Sequence, residues 1–375
     1  MDIQANRVTV EAWLILLRAP GLGATGLRTL VERHGGALPA LEAARRGTAG
    51  DLAACRDWLR APDAQRIAAD IAWLAAENHH LLTIDSADFP PLLRESPGAP
   101  PALFVAGDAS ALWQPQLAIV GSRSASQGGI ANARSFARAL SAAGFAITSG
   151  LAEGIDAAAH AAALDMNAVT VAVLGTGPDL VYPARHRELA ARIAQTGALV
   201  SEFPPGTPGK PDHFPRRNRI IAGLALGTLV VEASLRSGSL ITARHATEQG
   251  REVFAIPGSI HNPLARGCHQ LIRQGATLVE TAEDIIAALG PVAARLGAHL
   301  RERLETPESS PESAPERDAD YATLLAALGH EALGIDALAE RTGLGVPALS
   351  SMLLVLELEG EVASERGGLY VRRPR

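Results

Sequence analysis

Alanines and leucines recur at helical spacing through the first part of the chain, and prolines end that pattern. Apolar runs such as Trp13–Leu17 and Leu27–Val31 place their side chains on one face of a helix. Prolines at positions 90, 91, 97, 100 and 101 interrupt any helix that would follow. We therefore predict a small helical domain with an extended connector over residues 1–110.

From about residue 115 the pattern changes, because short β-branched runs bounded by glycine alternate with alanine-rich helical stretches. The runs span residues 117–120, 145–148, 169–174, 198–201, 228–231 and 253–256, with a shorter one at 277–279. This alternation predicts an α/β fold with a doubly wound, mostly parallel sheet and helices on both faces. Such sheets bind ligands at the carboxyl ends of their strands. We assign residues 111–290 to this domain.

An acidic, proline-rich segment separates the sheet from the end of the chain. Residues 304–320 read LETPESSPESAPERDAD, which cannot bury enough apolar surface to fold. We predict a helical tail and a flexible acidic linker over residues 291–320. Beyond it, residues 321–375 predict three helices and a strand pair, in the order of a winged helix. The third helix, over 347–358, lacks Lys, Arg, Asn and Gln, so we expect a protein-contact module.

Composition narrows the function classes. The chain of 375 residues carries 34 Lys and Arg against 40 Asp and Glu, a net charge of −6, which excludes a globally basic coat protein. Two cysteines, Cys55 and Cys268, are too few for a disulfide framework, so we expect a reducing, cytoplasmic compartment. The longest apolar stretch, about residues 220–231, is far shorter than the roughly 20 residues of a spanning helix, and we expect no membrane association.

Small, donor-rich residues stand where three of the predicted strands end. Gly121 and Ser122 follow the first strand and offer N–H and hydroxyl donors to an anion, and Arg123 adds a guanidinium whose geometry suits phosphate. Comparable loops follow the second strand at Ser149–Gly150 and the fifth at Ser237–Ser239. Several such loops along one edge favour a groove for an extended polyanion.

The densest charge cluster is the segment Lys210–Arg219, with four cations and one aromatic in ten residues. Residues 205–275 hold nine Lys and Arg against four acids, a local charge of about +5. Clustered cations favour a phosphate backbone, and an aromatic beside them stacks an unpaired base for ~1–3 kcal/mol. The alternative is that individual arginines of this cluster pair with acidic residues of the same domain and do not contact a phosphate. The candidate DNA contacts are Gly121, Ser122, Arg123, Ser149, Gly150, Lys210, Phe214, Arg216, Arg217, Asn218, Arg219, Ser237, Gly238 and Ser239.

Catalytic and cofactor motifs are missing from the sequence. It contains no GxxxxGK[ST], no dinucleotide fingerprint and no HExxH, so we expect no cofactor, no metal and no enzymatic activity. Asp156 and His160 share one face of a helix, which fits either an internal hydrogen bond or a catalytic or metal role. The glycine-containing turn Ala19–Ala24 is either an ordinary helix connection or a grip on a nucleic-acid backbone.

The motifs occur in an order typical of one family. They span about residues 115–285 and comprise Gly121–Arg123, Ser149–Asp156 with His160, Phe214–Ala225, Val231–Ala233, Ser237–Ala243 and Pro257–Gly258. In this order the chain resembles the DNA-processing protein A (DprA/Smf) family. The resemblance implies an N-terminal domain like a sterile alpha motif (SAM), a central Rossmann-like domain and a C-terminal winged helix.

The same resemblance implies a function. The resemblance implies a homodimer that binds single-stranded DNA taken up during natural transformation, protects it and helps load RecA. Carried over to this sequence, Arg123 and the segment Lys210–Arg219 would line the DNA groove, with Phe214 as the stacking platform. The alternative is a phosphoribohydrolase of the lysine-decarboxylase-like group, whose fold is similar. That group carries a Pro-Gly-Gly-x-Gly-Thr loop, whereas this chain reads Pro257-Gly258-Ser259-Ile260.

Overall fold

The computed structural model describes residues 3–47, 52–305, 319–328, 333–345, 349, 352, 353, 356, 362–365 and 369–372. The chain divides into two compact units, Met1–Glu305 and Thr306–Arg375. No helix among the described residues is long and apolar enough to span a bilayer.

Helices form the N-terminal part of the first unit: α1 (Ile3–Leu17), α2 (Ala24–His34), α3 (Ala37–Arg46), α4 (Arg56–Arg60) and α5 (Ala64–Leu74). Leu14 and Leu27 lie in their shared core, which also contains Phe104 from the neighbouring sheet. An ion pair of 2.5 Å joins Arg18 at the end of α1 to the buried Asp70 of α5. The helical part is therefore packed directly against the sheet.

A nine-stranded sheet forms the centre of this unit. Its strands are β1 (His79–Thr83), β2 (Ala102–Gly107), β3 (Gln116–Val120), β4 (Ala146–Ser149), β5 (Thr170–Val173), β6 (Ala198–Ser201), β7 (Gly227–Val230), β8 (Glu252–Ala255) and β9 (Thr277–Leu278). The order is β1-β2-β6-β5-β4-β3-β7-β8-β9, and every pair from β6 to β9 is parallel. The predicted doubly wound, mostly parallel sheet is confirmed.

Two strands lie where the sequence predicts a helical domain with a connector. β1 and β2 are antiparallel to each other, and β2 is antiparallel to β6. The predicted boundary at residue 110 is therefore wrong, because residues from before it belong to the main sheet. The prolines at 100 and 101 precede a fully buried strand, and such a strand carries no polar alternation to mark it.

Helices cover both faces of the sheet: α6 (Pro91–Arg94), α7 (Gln127–Ala142), α8 (Ile155–Asp165), α9 (Arg187–Thr196), α10 (His213–Leu224), α11 (Ser239–Glu248), α12 (Arg266–Arg273) and α13 (Ala282–Glu305). Alternate residues of β3 point to opposite cores, as a pleated strand requires. Leu117 and Ile119 pack with α7, α8 and α13, whereas Ala118 and Val120 pack with α10, α11 and α12.

The second unit contains α14 (Ala319–Leu328), β10 (Leu333–Gly334), α15 (Ile335–Thr342), β11 (Val362–Glu365) and β12 (Leu369–Arg372). The strands form a small antiparallel sheet in the order β10-β12-β11. The predicted strand pair corresponds to β11 and β12, and β10 is a third strand that the sequence did not predict. Leu349, Leu353 and Leu356 lie in its core. The predicted third helix falls mostly outside the described residues, as do residues 306–318 of the predicted acidic linker.

Candidate nucleic-acid interface

A cleft of about 640 Å³ opens at the carboxyl ends of β3 and β7. The chain runs from β3 towards β6 on one side and from β7 to β9 on the other, so the winding reverses between these two neighbouring strands. Ligands of open α/β sheets bind at such a switch point. The cleft is lined by Gly121, Ser122, Arg123, Ser124, Ala152, Asp156, Tyr182, Pro211, Phe214, Arg217, Asn218, Ser234, Ser237, Gly238 and Ser239, among others.

The loop after β3 is tied down by a buried carboxylate. Ser122 N–H donates to the main-chain oxygen of Glu232 at 2.7 Å, and the Glu232 carboxylate accepts from Ser126 N–H at 2.9 Å and from Ser126 Oγ at 2.6 Å. Ser126 Oγ in turn accepts from Gly129 N–H at 3.0 Å and caps α7. The expectation that the Ser122 amide faces an anion is therefore wrong, because Glu232 occupies that position.

The loop after β4 is turned inward. Ser149 is fully buried and its hydroxyl donates to the Ile119 carbonyl at 2.6 Å. Gly150 N–H donates to Asp156 Oδ2 at 3.1 Å, and Ala152 N–H donates to the same oxygen at 3.4 Å. Ser149 and Gly150 were expected to contact DNA, but their donors already have partners inside the protein. These two residues position the loop, and neither lines the cleft among the described residues.

Arg217 lies at the floor of the cleft, with 4% of its surface exposed. Its Nη1 donates to the carbonyl oxygens of Gly150, at 2.6 Å, and of Val173, and its Nε donates to Asn218 Oδ1 at 3.2 Å. Burial lowers the pKa of Arg217 to about 10, although the nearby Asp156 carboxylate opposes that shift. Arg217 therefore joins the ends of two strands and does not extend into the groove as the sequence predicted.

Two further arginines of α10 share one carboxylate. Glu202, whose side chain is 2% exposed, accepts from Arg216 Nη2 at 2.6 Å and from Arg219 Nη2 at 2.7 Å. The side chain of Arg219 is 13% exposed and that of Arg216 is 46% exposed. Burial lowers the pKa of Arg219, and Glu202 opposes this shift. Arg219 was expected to line the groove and is instead part of a buried ion pair, whereas Arg216 faces solvent.

Arg123 and Lys210 are the predicted cations that stay free. Both are exposed, and neither forms an ion pair within the described part of the chain. The Arg123 guanidinium lies over the Phe214 ring, 5.9 Å from its centroid. Across the cleft, Ser237 Oγ and Ser239 Oγ are 2.6 Å apart at the start of α11. A cation, an aromatic and hydroxyls thus converge on one opening, which can hold a phosphate beside a flat base.

Comparison with known proteins identifies the family. The family model described as "DNA recombination-mediator protein A" matches residues 80–290, and the model described as "DprA winged helix domain" matches residues 308–368. The chain belongs to the DprA/Smf family. The resemblance drawn from the motifs is confirmed, and so are the Rossmann-like and winged-helix domains. The match to the first of these family models begins within β1 and therefore includes β2.

Relatives and solved structures agree with this assignment. Protein Smf of Escherichia coli (strain K12) is 49% identical over 312 residues, which cover 82% of this chain and 81% of that protein. The crystal structure of DprA from Streptococcus pneumoniae is 36% identical, with a TM-score of 0.67, and covers 74% of this chain and 97% of that one. A DprA structure from Helicobacter pylori, described for its single-stranded DNA binding mode, is 26% identical with a TM-score of 0.51, covering 56% and 95%.

The DprA motif residues Asp156 and His160 both make internal hydrogen bonds. His160 Nδ1 lies 2.7 Å from Thr170 Oγ1, whose hydroxyl donates to the Ile147 carbonyl, so Nδ1 carries the proton. Burial lowers the pKa of His160 to about 3, and neighbouring basic side chains add to the effect. Of the two roles that the sequence leaves open for this pair, the hydrogen-bonding role agrees with the geometry. Burial also raises the pKa of Asp156, against the effect of Arg217.

One aromatic of the DprA cleft escapes the sequence reasoning. Tyr182 lies between β5 and α9, lines the cleft and has 56% of its surface exposed. Its ring centroid is 5.2 Å from that of Phe214. The available signal is its position, since an aromatic in the loop after the third predicted strand lies at the same carboxyl edge as Gly121 and Ser237.

Proposed function

We propose that this protein binds single-stranded DNA in the switch-point cleft and acts as a recombination mediator during natural transformation. In this role it protects incoming DNA, helps load RecA and works as a cytoplasmic homodimer without enzymatic activity. Membership of the DprA family supports the proposal, and so does the single-stranded DNA binding mode for which the Helicobacter pylori DprA structure is described. The alternative phosphoribohydrolase function has no support from the family match.

The observation that carries the proposal is the free charge of Arg123 in the same cleft as the exposed ring of Tyr182. Arg123 lies in the loop after β3, lines the cleft and stays exposed, while Arg217 and Arg219 are held by carbonyl and carboxylate oxygens. Phosphate is the ligand that a free guanidinium at a strand end suits best. Flat aromatic surface next to it suits an unpaired base, because a duplex covers both faces of its bases.

Fluorescence anisotropy tests this proposal. We expect a labelled dT oligonucleotide to bind more tightly than a duplex of equal length. Replacing Arg123 by alanine removes one phosphate contact, so the slope of log K against log[salt] should become shallower by about 0.7, with a similar loss of affinity for all sequences. Arg138→Ala is the matched control, because Arg138 is half exposed on α7 and pairs with Asp165 at 3.6 Å, outside the cleft. Equal slopes for the wild type and Arg123→Ala would contradict the proposal.

The remaining parts of the proposal need separate measurements. Sedimentation equilibrium over a range of concentrations tests the homodimer. RecA loading is tested by adding the protein to RecA and DNA that is already coated with single-strand-binding protein, and measuring filament formation. Incubation with AMP tests the absence of enzymatic activity, because released adenine would indicate the phosphoribohydrolase reaction.

A further inference from the structure

The ring surface open to a ligand in the cleft belongs mainly to Tyr182. Phe214 is half-buried, and its ring packs against Gly175 and Gly209, where a Cβ would lie 2.8 Å from Phe214 Cδ1 and 3.4 Å from Cζ. Arg123 lies over the same ring at 5.9 Å. Tyr182, by contrast, is 56% exposed. Phe214 is therefore enclosed by protein atoms on several sides, while Tyr182 faces the opening.

The spacing of the two rings excludes a base between them. Their centroids are 5.2 Å apart and their planes are inclined by 45°. An inserted base needs van der Waals distance on both of its faces, which adds up to roughly 7 Å between parallel rings. The two side chains instead contact each other, as tilted aromatic pairs do. A base can stack only on the free side of the pair, and that side is the exposed ring of Tyr182.

We propose that Tyr182 is the platform on which an unpaired base stacks, with Phe214 supporting the ring from behind and Arg123 holding a neighbouring phosphate. This inference rests on the proposed function and names the part of the ligand that the site recognises. It also names a source of strand specificity, because a stacked platform accepts bases of any sequence but only when they are unpaired. Tyr182 thereby takes the role that the sequence gives to Phe214.

The test compares Tyr182→Leu and Tyr182→Phe in the full chain, by anisotropy with a dT oligonucleotide and with an abasic oligonucleotide of the same length. Stacking on an aromatic is worth a factor of about 5–150 in affinity per base. We expect Tyr182→Leu to lose roughly that factor on dT and nothing on the abasic strand, with the salt slope unchanged. Tyr182→Phe keeps the ring and should bind within about twofold of the wild type. Because Tyr182 is exposed, both variants should melt at the wild-type temperature.

Several results would overturn the inference. Wild-type affinity of Tyr182→Leu for dT would do so, and so would an equal loss on dT and abasic strands, which would mean that the ring only supports the fold of the cleft. A base-dependent loss confined to Phe214→Leu would place the platform on Phe214. These outcomes are distinct from failure of the proposed function, in which the wild type binds neither oligonucleotide or Arg123→Ala leaves the salt slope unchanged.

Discussion

Replacing Arg217 with methionine tests whether this arginine stabilises the fold or contacts DNA. The guanidinium joins two strand ends, since its Nη1 donates to the carbonyl oxygens of Gly150 and Val173. It is also the cation that opposes the raised pKa of the buried Asp156. Methionine keeps most of the side-chain volume but removes every donor and the charge. The change therefore removes a donor from two carbonyls at the floor of the cleft and the nearby cation from the buried Asp156, whose carboxyl group keeps its hydrogen bonds from Gly150 and Ala152 N–H.

The size of the effect follows from these contacts. Leaving a buried acceptor without its donor costs about 1–3 kcal/mol for each of the two carbonyls, and the loss of the cation close to the buried Asp156 adds to that cost. The two contributions overlap because one guanidinium serves all three groups, so we expect a total destabilisation of about 3–5 kcal/mol. For a unit of roughly this size, 1 kcal/mol corresponds to about 2 °C in Tm. The Tm should therefore fall by about 6–10 °C.

Thermal melting by circular dichroism and anisotropy at several salt concentrations measure both sides of this prediction. Arg217→Met should melt early and keep the wild-type slope of log K against log[salt], because no phosphate contact is lost. Arg123→Ala is the reciprocal control, with a shallower slope and an unchanged Tm. A variant Arg217→Met that melts like the wild type and shows a shallower salt slope would refute the reasoning, because it would make Arg217 a phosphate ligand.

Two further predictions concern the supports of the cleft. A Cβ at Gly129 would lie 2.5 Å from Cδ of the buried Glu232, so Gly129→Ala should lower the free energy of unfolding by about 1–3 kcal/mol. A Cβ at Gly128 would lie 3.7 Å from its nearest neighbour, so Gly128→Ala should leave the free energy of unfolding unchanged or raise it by up to ~1 kcal/mol. Urea denaturation checks both variants, and equal effects would contradict the steric account. His160 has a pKa of about 3 in the folded protein, whereas its ordinary pKa is 6.5. As the pH falls, the imidazole of the unfolded chain is protonated at a higher pH than that of the folded protein. The free energy of unfolding therefore decreases between about pH 6.5 and pH 3, by up to about 1.4 kcal/mol per pH unit. His160→Gln should flatten that dependence in urea midpoints at pH 7 and pH 5, and an unchanged dependence would assign it to other groups.

The parallel sheet was predictable because most of its strands, β3 to β7, are buried on both faces. Such strands appear as short, nearly continuous β-branched runs, and all seven predicted runs overlap strands of the structure, from β3 to β9. β1 reads His79-His80-Leu81-Leu82-Thr83 and shows neither that pattern nor a clear alternation. It is held by its antiparallel pairing with β2, and a contact between distant segments leaves no local pattern in the sequence.

For the arginines of α10, the number of charges in the sequence does not predict which side chains face the cleft, whereas the helical spacing of the apolar residues does predict which side is buried. Arg217, Ile220, Ile221 and Leu224 follow the spacing i, i+3, i+4, i+7, and all four are buried. The apolar stripe of the helix therefore already placed Arg217 on the inner face. The identity of its partners could not be predicted, because the carbonyls that it contacts lie at the ends of β4 and β5, about 40–70 residues away along the chain.

Internal carboxylates decide how much of the positive charge can serve DNA. Glu202 holds Arg219 and part of the charge of Arg216, and the buried carboxyl group of Asp156 lies close to Arg217. Of the five cations that the sequence assigns to the groove, three remain solvent-facing, namely Arg123, Lys210 and Arg216. At about 0.7 per phosphate contact on a single strand, three cations give a salt slope near −2, whereas five would give about −3.5. A measured slope near −2 for each chain therefore distinguishes a cleft built partly from internal ion pairs from one in which every arginine faces the DNA.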